Sequence, residues 1–164
     1  VLITAFANIS GAHLNPFVSL SMYLTKRIKG KELLTFIPAQ VLGCLLGVML
    51  ANVFFEHSII ELSAKNRDGF HIFLSEIVAT FGLIFIIFAT LKDGKTTVAA
   101  CVATYISAGY WFTSSTSFAN PAVAIARTFT DSFTGINYLN TPTYIFAELL
   151  GAIVAIYIIK RLIK

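Results

Sequence analysis

The fold is decided by a stretch in the second half of the chain, Ser115-Thr116-Ser117-Phe118-Ala119-Asn120-Pro121-Ala122-Val123-Ala124-Ile125-Ala126-Arg127. Asn is a preferred helix N-cap, and Pro suits the first helical turn, where its missing N–H would have no partner. The apolar helix predicted over residues 121–129 is too short to cross a bilayer, which takes about 20 apolar residues. The same arrangement occurs at Gly11-Ala12-His13-Leu14-Asn15-Pro16-Phe17-Val18-Ser19-Leu20. Two such half-helices indicate an internal repeat.

The composition predicts an all-α membrane protein. Hydrophobic residues make up 57% of the chain and charged residues 12%, about half of the usual charged share of roughly 25%. The apolar residues form long runs and do not alternate with polar ones, which excludes an outer-membrane barrel. Basic residues cluster beside these runs, where membrane topology explains them, so we expect the lipid bilayer as a partner and no nucleic acid.

Four complete spans are predicted, over residues 33–55, 70–91, 96–112 and 144–159, after an apolar tail over residues 1–9. The excess of Lys and Arg on one side sets the orientation. That side carries nine of them, at positions 26, 27, 29, 31, 92, 95, 160, 161 and 164, and the other side carries three, at 65, 67 and 127. We therefore expect a multi-pass protein of the cell membrane with a cytoplasmic C-terminus.

The two Asn-Pro helices enter the membrane from opposite faces. Three complete spans separate them, and an odd number of crossings predicts an inverted-topology repeat. The spans after the boxes correspond as well, Pro38-Ala39-Gln40-Val41-Leu42-Gly43 to Phe146-Ala147-Glu148-Leu149-Leu150-Gly151. We interpret residues 1–164 as one membrane domain, with a partial first repeat over 1–69 and a second over 70–164. Fifty residues of the second repeat precede Asn120 and only 14 residues precede Asn15, so we expect the first span and most of the second to be missing.

These motifs resemble the aquaporin (major intrinsic protein) family over essentially the whole chain, as an N-terminally truncated, bacterial-type member. The resemblance rests on the two Asn-Pro boxes, on residues 39–43 and on Ser75-Glu76-Ile77-Val78-Ala79-Thr80. It implies an aquaporin-like fold in which both half-helices end at the midplane and a pore passes between them. Asn15 and Asn120 would then donate hydrogen bonds to a passing oxygen, while the positive helix ends repel cations. A complete member would assemble as a homotetramer.

The chain departs from the family pattern at both boxes, which read Asn15-Pro16-Phe17 and Asn120-Pro121-Ala122. The Arg that usually follows the second box is replaced by Val123. Counting without gaps, the resemblance puts two other constriction residues at Ser117 and about Ala108, and the fourth in the missing segment. Arg127 lies on the same helix face as Val123, about 6 Å further from the helix N-terminus. We therefore predict a wider and less polar constriction than that of a strict water channel.

Three further polar residues inside spans have structural interpretations. Glu76 is ionisable, and such a residue is a candidate for function by default. A proton relay would require Glu148 as its partner. The resemblance implies that Glu76 instead accepts hydrogen bonds from backbone N–H groups of a re-entrant loop. Gln40 and Glu148, equivalent to each other in the repeat, are likewise predicted to be structural. His13 is predicted to line the cytoplasmic vestibule or to brace its loop.

The sequence predicts a passive channel for water and small neutral solutes, such as glycerol or undissociated metalloid acids. A secondary transporter with broken helices is the alternative, because such proteins share inverted repeats, and a non-functional fragment is another. We find no nucleophile, phosphate-binding or metal-binding motif, and Cys44 and Cys101 lie in apolar runs. An enzyme, a metal site and a cofactor are therefore not expected.

Overall fold

The computed structural model describes residues 1–162, so Lys164, one of the nine basic residues counted above, lies outside the described part. Seven α-helices and two 3₁₀ turns make up the regular structure of residues 1–162, and they contain no strand. The helices are α1 (Leu2–Ser10), α2 (Pro16–Leu24), α3 (Gly30–Phe54), α4 (Phe70–Thr90), α5 (Lys95–Phe112), α6 (Pro121–Ala126) and α7 (Thr141–Leu162); the 3₁₀ turns are Leu91–Asp93 and Arg127–Phe129.

The expected helices form, with some shifted ends. Helix α3 begins three residues early because the Glu32 carboxylate accepts the Lys29 N–H at 2.7 Å and caps the first turn. Helix α7 also begins three residues early, at Thr141, and the second half-helix finishes as a 3₁₀ turn. Within the described residues, α3, α4 with its 3₁₀ turn, and α7 are long and apolar enough to span a membrane. Helix α5 has 18 residues but is less apolar, since Lys95 and three threonines interrupt it.

Helices α4 and α7 pack along each other and form the centre of the structure. Their apolar contact includes Ala79, Leu83 and Ile87 of α4 with Ala152 and Ala155 of α7. The two helices approach closely at Gly151, where an added Cβ would lie 2.4 Å from the Ile77 carbonyl oxygen. At Gly43 of α3, the equivalent position in the repeat, nothing lies within 4 Å.

The two half-helices point in opposite directions. Just after α2, the Arg27 guanidinium carbon lies 5.6 Å from the Phe88 ring centroid, near the C-terminal end of α4. Just after α6, the Thr128 carbonyl accepts the Ser63 N–H at 3.0 Å, in the loop that precedes the N-terminal end of α4. The helices therefore leave the interior at opposite ends of α4, and their N-termini meet between them.

Candidate functional site

Each box Asn caps its own half-helix. The Asn15 side-chain oxygen accepts the Phe17 N–H at 2.9 Å, and the Asn120 oxygen accepts the Ala122 N–H at 3.0 Å. Both Asn residues are extended, with φ of −158° and −160°, as an N-cap requires. Pro follows at the first helical position in both cases.

The same two side chains also connect the half-helices to each other. The Asn15 amide nitrogen donates to the Ala119 carbonyl at 2.6 Å, and the Asn120 amide nitrogen donates to the Leu14 carbonyl at 2.9 Å. Each Asn thus donates to the residue that precedes the other Asn. A side-chain amide has two N–H donors, so one donor on each Asn remains for another acceptor.

The loops that lead into the two boxes share a rare backbone conformation. Positive φ values occur four, three and one residues before each Asn, at Gly11 (78°), Ala12 (49°) and Leu14 (51°) and at Thr116 (64°), Ser117 (49°) and Ala119 (48°). A Ser hydroxyl five residues before each Asn accepts a loop N–H at 3.3 Å in both copies. Left-handed non-glycine residues cost about 1–3 kcal/mol each, so this strain must be balanced by the surroundings.

Two buried carboxylates hold the second loop. Glu76 accepts the Phe118 N–H at 2.9 Å and the Ala119 N–H at 2.8 Å, one on each oxygen. Glu148 accepts the next N–H, that of Asn120, at 2.9 Å. Both side chains are fully buried. Three consecutive backbone donors, which helix and sheet cannot satisfy here, therefore have side-chain carboxyl groups as acceptors.

Neutral side chains brace the first loop. The His13 ring nitrogen Nδ1 lies 3.1 Å from the Ser19 hydroxyl, which also accepts a hydrogen bond from the Gln40 amide at 2.9 Å. The His13 ring meets the Phe36 ring edge-on, with centroids 5.5 Å apart. Gln40 corresponds to Glu148 in the repeat, so a single position supports its loop in both copies, with an amide in one and a carboxylate in the other.

A cavity of about 690 Å³, here called the central cavity, runs along the half-helices and ends of both loops. Apolar side chains of α4 and α5 form much of its wall, including Leu83, Ile87, Val98 and Val102. Six residues singled out from the sequence line it, namely His13, Asn15, Ser117, Asn120, Val123 and Arg127.

The other predicted pore residues lie elsewhere. Pro16, Phe17, Pro121 and Ala122 are buried in the contacts of the half-helices and do not line the central cavity.

Ala108 is exposed and also does not line the cavity, a difference from the ungapped count. The lining face of α5 carries Ile106 and Tyr110. The reason is that α5 is shifted in register relative to α1, its counterpart in the first repeat. Helix α1 continues to Ser10, five residues before its box Asn, whereas α5 ends at Phe112 and residues 113–115 separate it from the loop.

Sequence reasoning missed the paired serines Ser10 and Ser115 and the shared partner Ser19. The first two could have been found, since both stand five residues before a box Asn. Ser19 has no counterpart of its type, because Ala124 occupies that position in the second copy.

Comparison with known proteins gives consistent results. The profile of the family described as Major intrinsic protein matches residues 1–112. The chain is similar to Aquaglyceroporin AqpS of Rhizobium meliloti (strain 1021), with 43% identity over all 164 residues and 70% of that protein's length. It is 28% identical to Aquaporin-4 of Bos taurus and 27% identical to that of Homo sapiens, in each case over 94% of this chain and half of the relative.

Proposed function

The chain belongs to the major intrinsic protein family, and we propose on that premise that it forms the greater part of a passive membrane channel for water and small neutral solutes. The observation that supports this most is the reciprocal bonding of Asn15 and Asn120 beside the central cavity. Their remaining amide donors can bind the oxygen of a passing molecule. The positive ends of both half-helices, which repel cations in aquaporin-type pores, lie at the same place.

The solute class follows from the walls of the cavity. Much of the wall is apolar, the charged side chains on it, Arg27, Lys95 and Arg127, are all cationic and do not favour a cation, and Val123 stands directly after the second box. A neutral polar molecule loses much less than an ion when it leaves water for such a surface, and hydrogen bonds to the two Asn side chains can replace some of those it gives up. We propose glycerol-like solutes and undissociated metalloid acids in addition to water, in line with the name of the similar aquaglyceroporin.

Glu76 and Glu148 argue against a secondary transporter. A proton- or ion-coupled carrier needs acidic groups that bind and release its ion near the midplane. Here both carboxylates accept hydrogen bonds from the backbone of the second loop. We propose that they have a structural role, as does Gln40, which bonds Ser19 in the first repeat.

The remaining proposals concern the assembled protein. We propose two inverted repeats, over residues 1–69 and 70–164, a cytoplasmic C-terminus in the cell membrane, no catalytic activity, and a homotetramer for the whole protein. The orientation rests on the basic residues near the ends of α2, α4 and α7. Cross-linking in membranes that yields only monomers would refute the tetramer.

Reconstitution of the whole protein in liposomes tests the proposed channel. We expect osmotic water flux and glycerol uptake down their gradients, with no accumulation when a proton gradient is imposed. Accumulation against a solute gradient would indicate the transporter instead.

Val123→Arg, which puts a cation next to the second box, should reduce glycerol flux more than water flux. Unchanged glycerol flux in this variant would contradict the proposed solute path.

A further inference from the structure

A small cavity, here called the basic pocket, lies where three elements end on the side that we propose to be cytoplasmic. The turn after α2 and the C-terminal ends of α4 and α7 form it, and its volume is about 290 Å³, close to the lower limit of about 300 Å³ for ligand pockets. Its lining includes three apolar and three basic residues, namely Leu24, Phe88 and Ile159 and Lys26, Arg27 and Lys160.

The three basic residues give the basic pocket a charge of one sign. No acidic residue of the described chain lines it. The ion pairs found within residues 1–162 lie elsewhere, between His57 and Glu61 and between Lys65 and Asp131. A cleft lined by charges of one sign concentrates ions of the opposite sign. The pocket therefore favours an anionic group.

The turn that carries Lys26 is fixed by the backbone. The Lys26 N–H donates to the Tyr23 carbonyl at 2.9 Å, and the Arg27 N–H donates to the Met22 carbonyl at 2.8 Å. This is the Schellman pattern, in which the left-handed position is usually glycine. Lys26 occupies that position with φ of 62°. Glycine would adopt this conformation without strain, so the lysine stands beside the pocket at a cost in stability.

The apolar part of the basic pocket continues onto an exposed face of α7. Ile153 and Tyr157 precede Lys160 by seven and three positions, so the three share one helix face. Ile153 is 51% exposed and Tyr157 is 57% exposed. Tyr is enriched where a membrane meets water, so the tyrosine indicates that Lys160 lies at the level of the lipid headgroups.

We propose that the basic pocket binds the headgroup phosphate of an anionic phospholipid, whose acyl chains lie along the exposed face of α7. Basic pockets between membrane helices bind such headgroups on the cytoplasmic side, where anionic lipids concentrate. A free phosphate would use only the cationic part of the pocket, whereas a lipid also uses the apolar part. The proposal goes beyond the channel function, because it concerns the outer surface of the helices and not the path of the solute.

Two double variants of the whole protein in neutral detergent test this. The pocket variant is Lys26→Gln with Lys160→Gln, and the matched control is Lys31→Gln with Lys92→Gln. All four lysines are exposed, but only the first two line the basic pocket. Arg27 is left unchanged because it also lines the central cavity.

Phosphatidylglycerol should raise the unfolding temperature of the unmodified protein until the effect saturates. We expect the pocket variant to need about 25-fold more lipid for half of this effect, about fivefold for each lysine that loses its contact of about 1 kcal/mol with the headgroup. The control variant should need as much lipid as the unmodified protein. Equal losses in both double variants would show a general effect of charge and would overturn the proposal.

Lys26→Gly separates lipid binding from stability and serves if the pocket variant does not fold. Without lipid it should be at least as stable as the unmodified protein, because glycine removes the strain of the left-handed position. It should nevertheless need about fivefold more phosphatidylglycerol, the effect of one lysine. An unchanged lipid requirement in this variant would overturn a role for Lys26 in binding.

Phosphatidylcholine with the same acyl chains and inorganic phosphate distinguish the possible ligands. Neither should stabilise the unmodified protein at the concentrations at which phosphatidylglycerol does, because the first has no net charge and the second has no acyl chain. Equal stabilisation by phosphate would identify a site for a free anion, and equal stabilisation by phosphatidylcholine would identify an apolar surface only; either result would overturn the proposal. Solute flux enters none of these measurements, so a failure of the proposed channel is recognised separately.

Discussion

The first re-entrant region, residues 11–24, and the second, residues 116–129, have the same loop conformation and helix caps but different supports. Positive φ values, Asn caps and the reciprocal amide bonds recur at equivalent positions. Around that backbone, the second loop is bound by two buried carboxylates, and the first is braced by a His–Ser–Gln network. The geometry therefore does not depend on one particular set of supporting side chains.

This comparison separates what shapes the site from what stabilises it. The Asn side chains and the Pro that follows them are common to both copies, so they set the conformation. The supports differ in what they bind: two carboxyl groups accept three backbone N–H groups of the second loop, whereas the first loop is braced through side-chain contacts, and a buried N–H without an acceptor is costly. The second region should therefore lose more stability than the first when its support is removed.

The largest effect is expected for Glu76→Ala. The Phe118 and Ala119 N–H groups would lose their acceptors in a buried place, at about 1–3 kcal/mol each, so we expect a loss of about 2–6 kcal/mol of stability. Thermal unfolding in detergent and hydrogen exchange at these two amides would measure it. Glu76→Gln keeps the shape and one carbonyl acceptor, so it should cost less. Stability equal to that of the unmodified protein in Glu76→Ala would show that the carboxylate does not hold the loop.

Next comes a pair of equivalent glycines. Gly151→Ala would place a Cβ 2.4 Å from the Ile77 carbonyl oxygen, which belongs to the backbone of α4 and cannot turn away. We expect a loss of about 1–3 kcal/mol, as for other overpacked sites. Within residues 1–162 nothing lies within 4 Å of a Cβ added at Gly43, so Gly43→Ala should be neutral or slightly stabilising in this chain, because Ala favours helix. A large loss at Gly43 would instead mean that another helix packs there, as α4 packs on Gly151.

Substitution of either box Asn should lower the stability by a similar amount. Asn15→Ala and Asn120→Ala each remove a cap, worth about 1 kcal/mol, and a bond to the other loop, worth about as much. Similar losses of about 1–3 kcal/mol are expected by chemical denaturation. Ser at either position retains the cap and loses only the bond between loops, so it should cost about half as much. A loss of stability in only one of the two Ala variants would show that the two Asn residues are not equivalent.

Much of this arrangement could be predicted from the sequence, because its causes are local. Asn followed by Pro indicates a helix start, and the lengths of the apolar runs indicate spans. The register of α5 could not be predicted, since residues 113–115 form a connection that composition does not reveal. The left-handed residues Leu14 and Ala119 gave no signal either, because hydrogen bonds to the distant residues Asn120 and Glu76 hold them in a conformation that their residue types do not favour.

The smallest expected effect is the pH dependence of the contacts that Asp131 makes just after the second re-entrant region. Asp131 accepts the Ala64 N–H at 3.1 Å and the Ser63 hydroxyl at 3.1 Å, with the Lys65 ammonium 3.7 Å away. The bond from Ala64 is the main cause that lowers the pKa of Asp131 below its ordinary value of 3.8. The folded state thus favours the ionised carboxylate.

The contacts that join Asp131 to residues 63–65 are therefore fully formed above pH 3.8. They are lost as the pH falls through the lowered pKa of Asp131 in the folded protein. The effect should be small because the carboxylate is solvated. We expect protection of the Ala64 amide from hydrogen exchange, corrected for intrinsic rates, to decline only in that acidic range. Asp131→Asn should remove this decline, since an amide does not titrate. A decline that persists in the Asn variant would assign it to another group and leave Asp131 without a role in the connection.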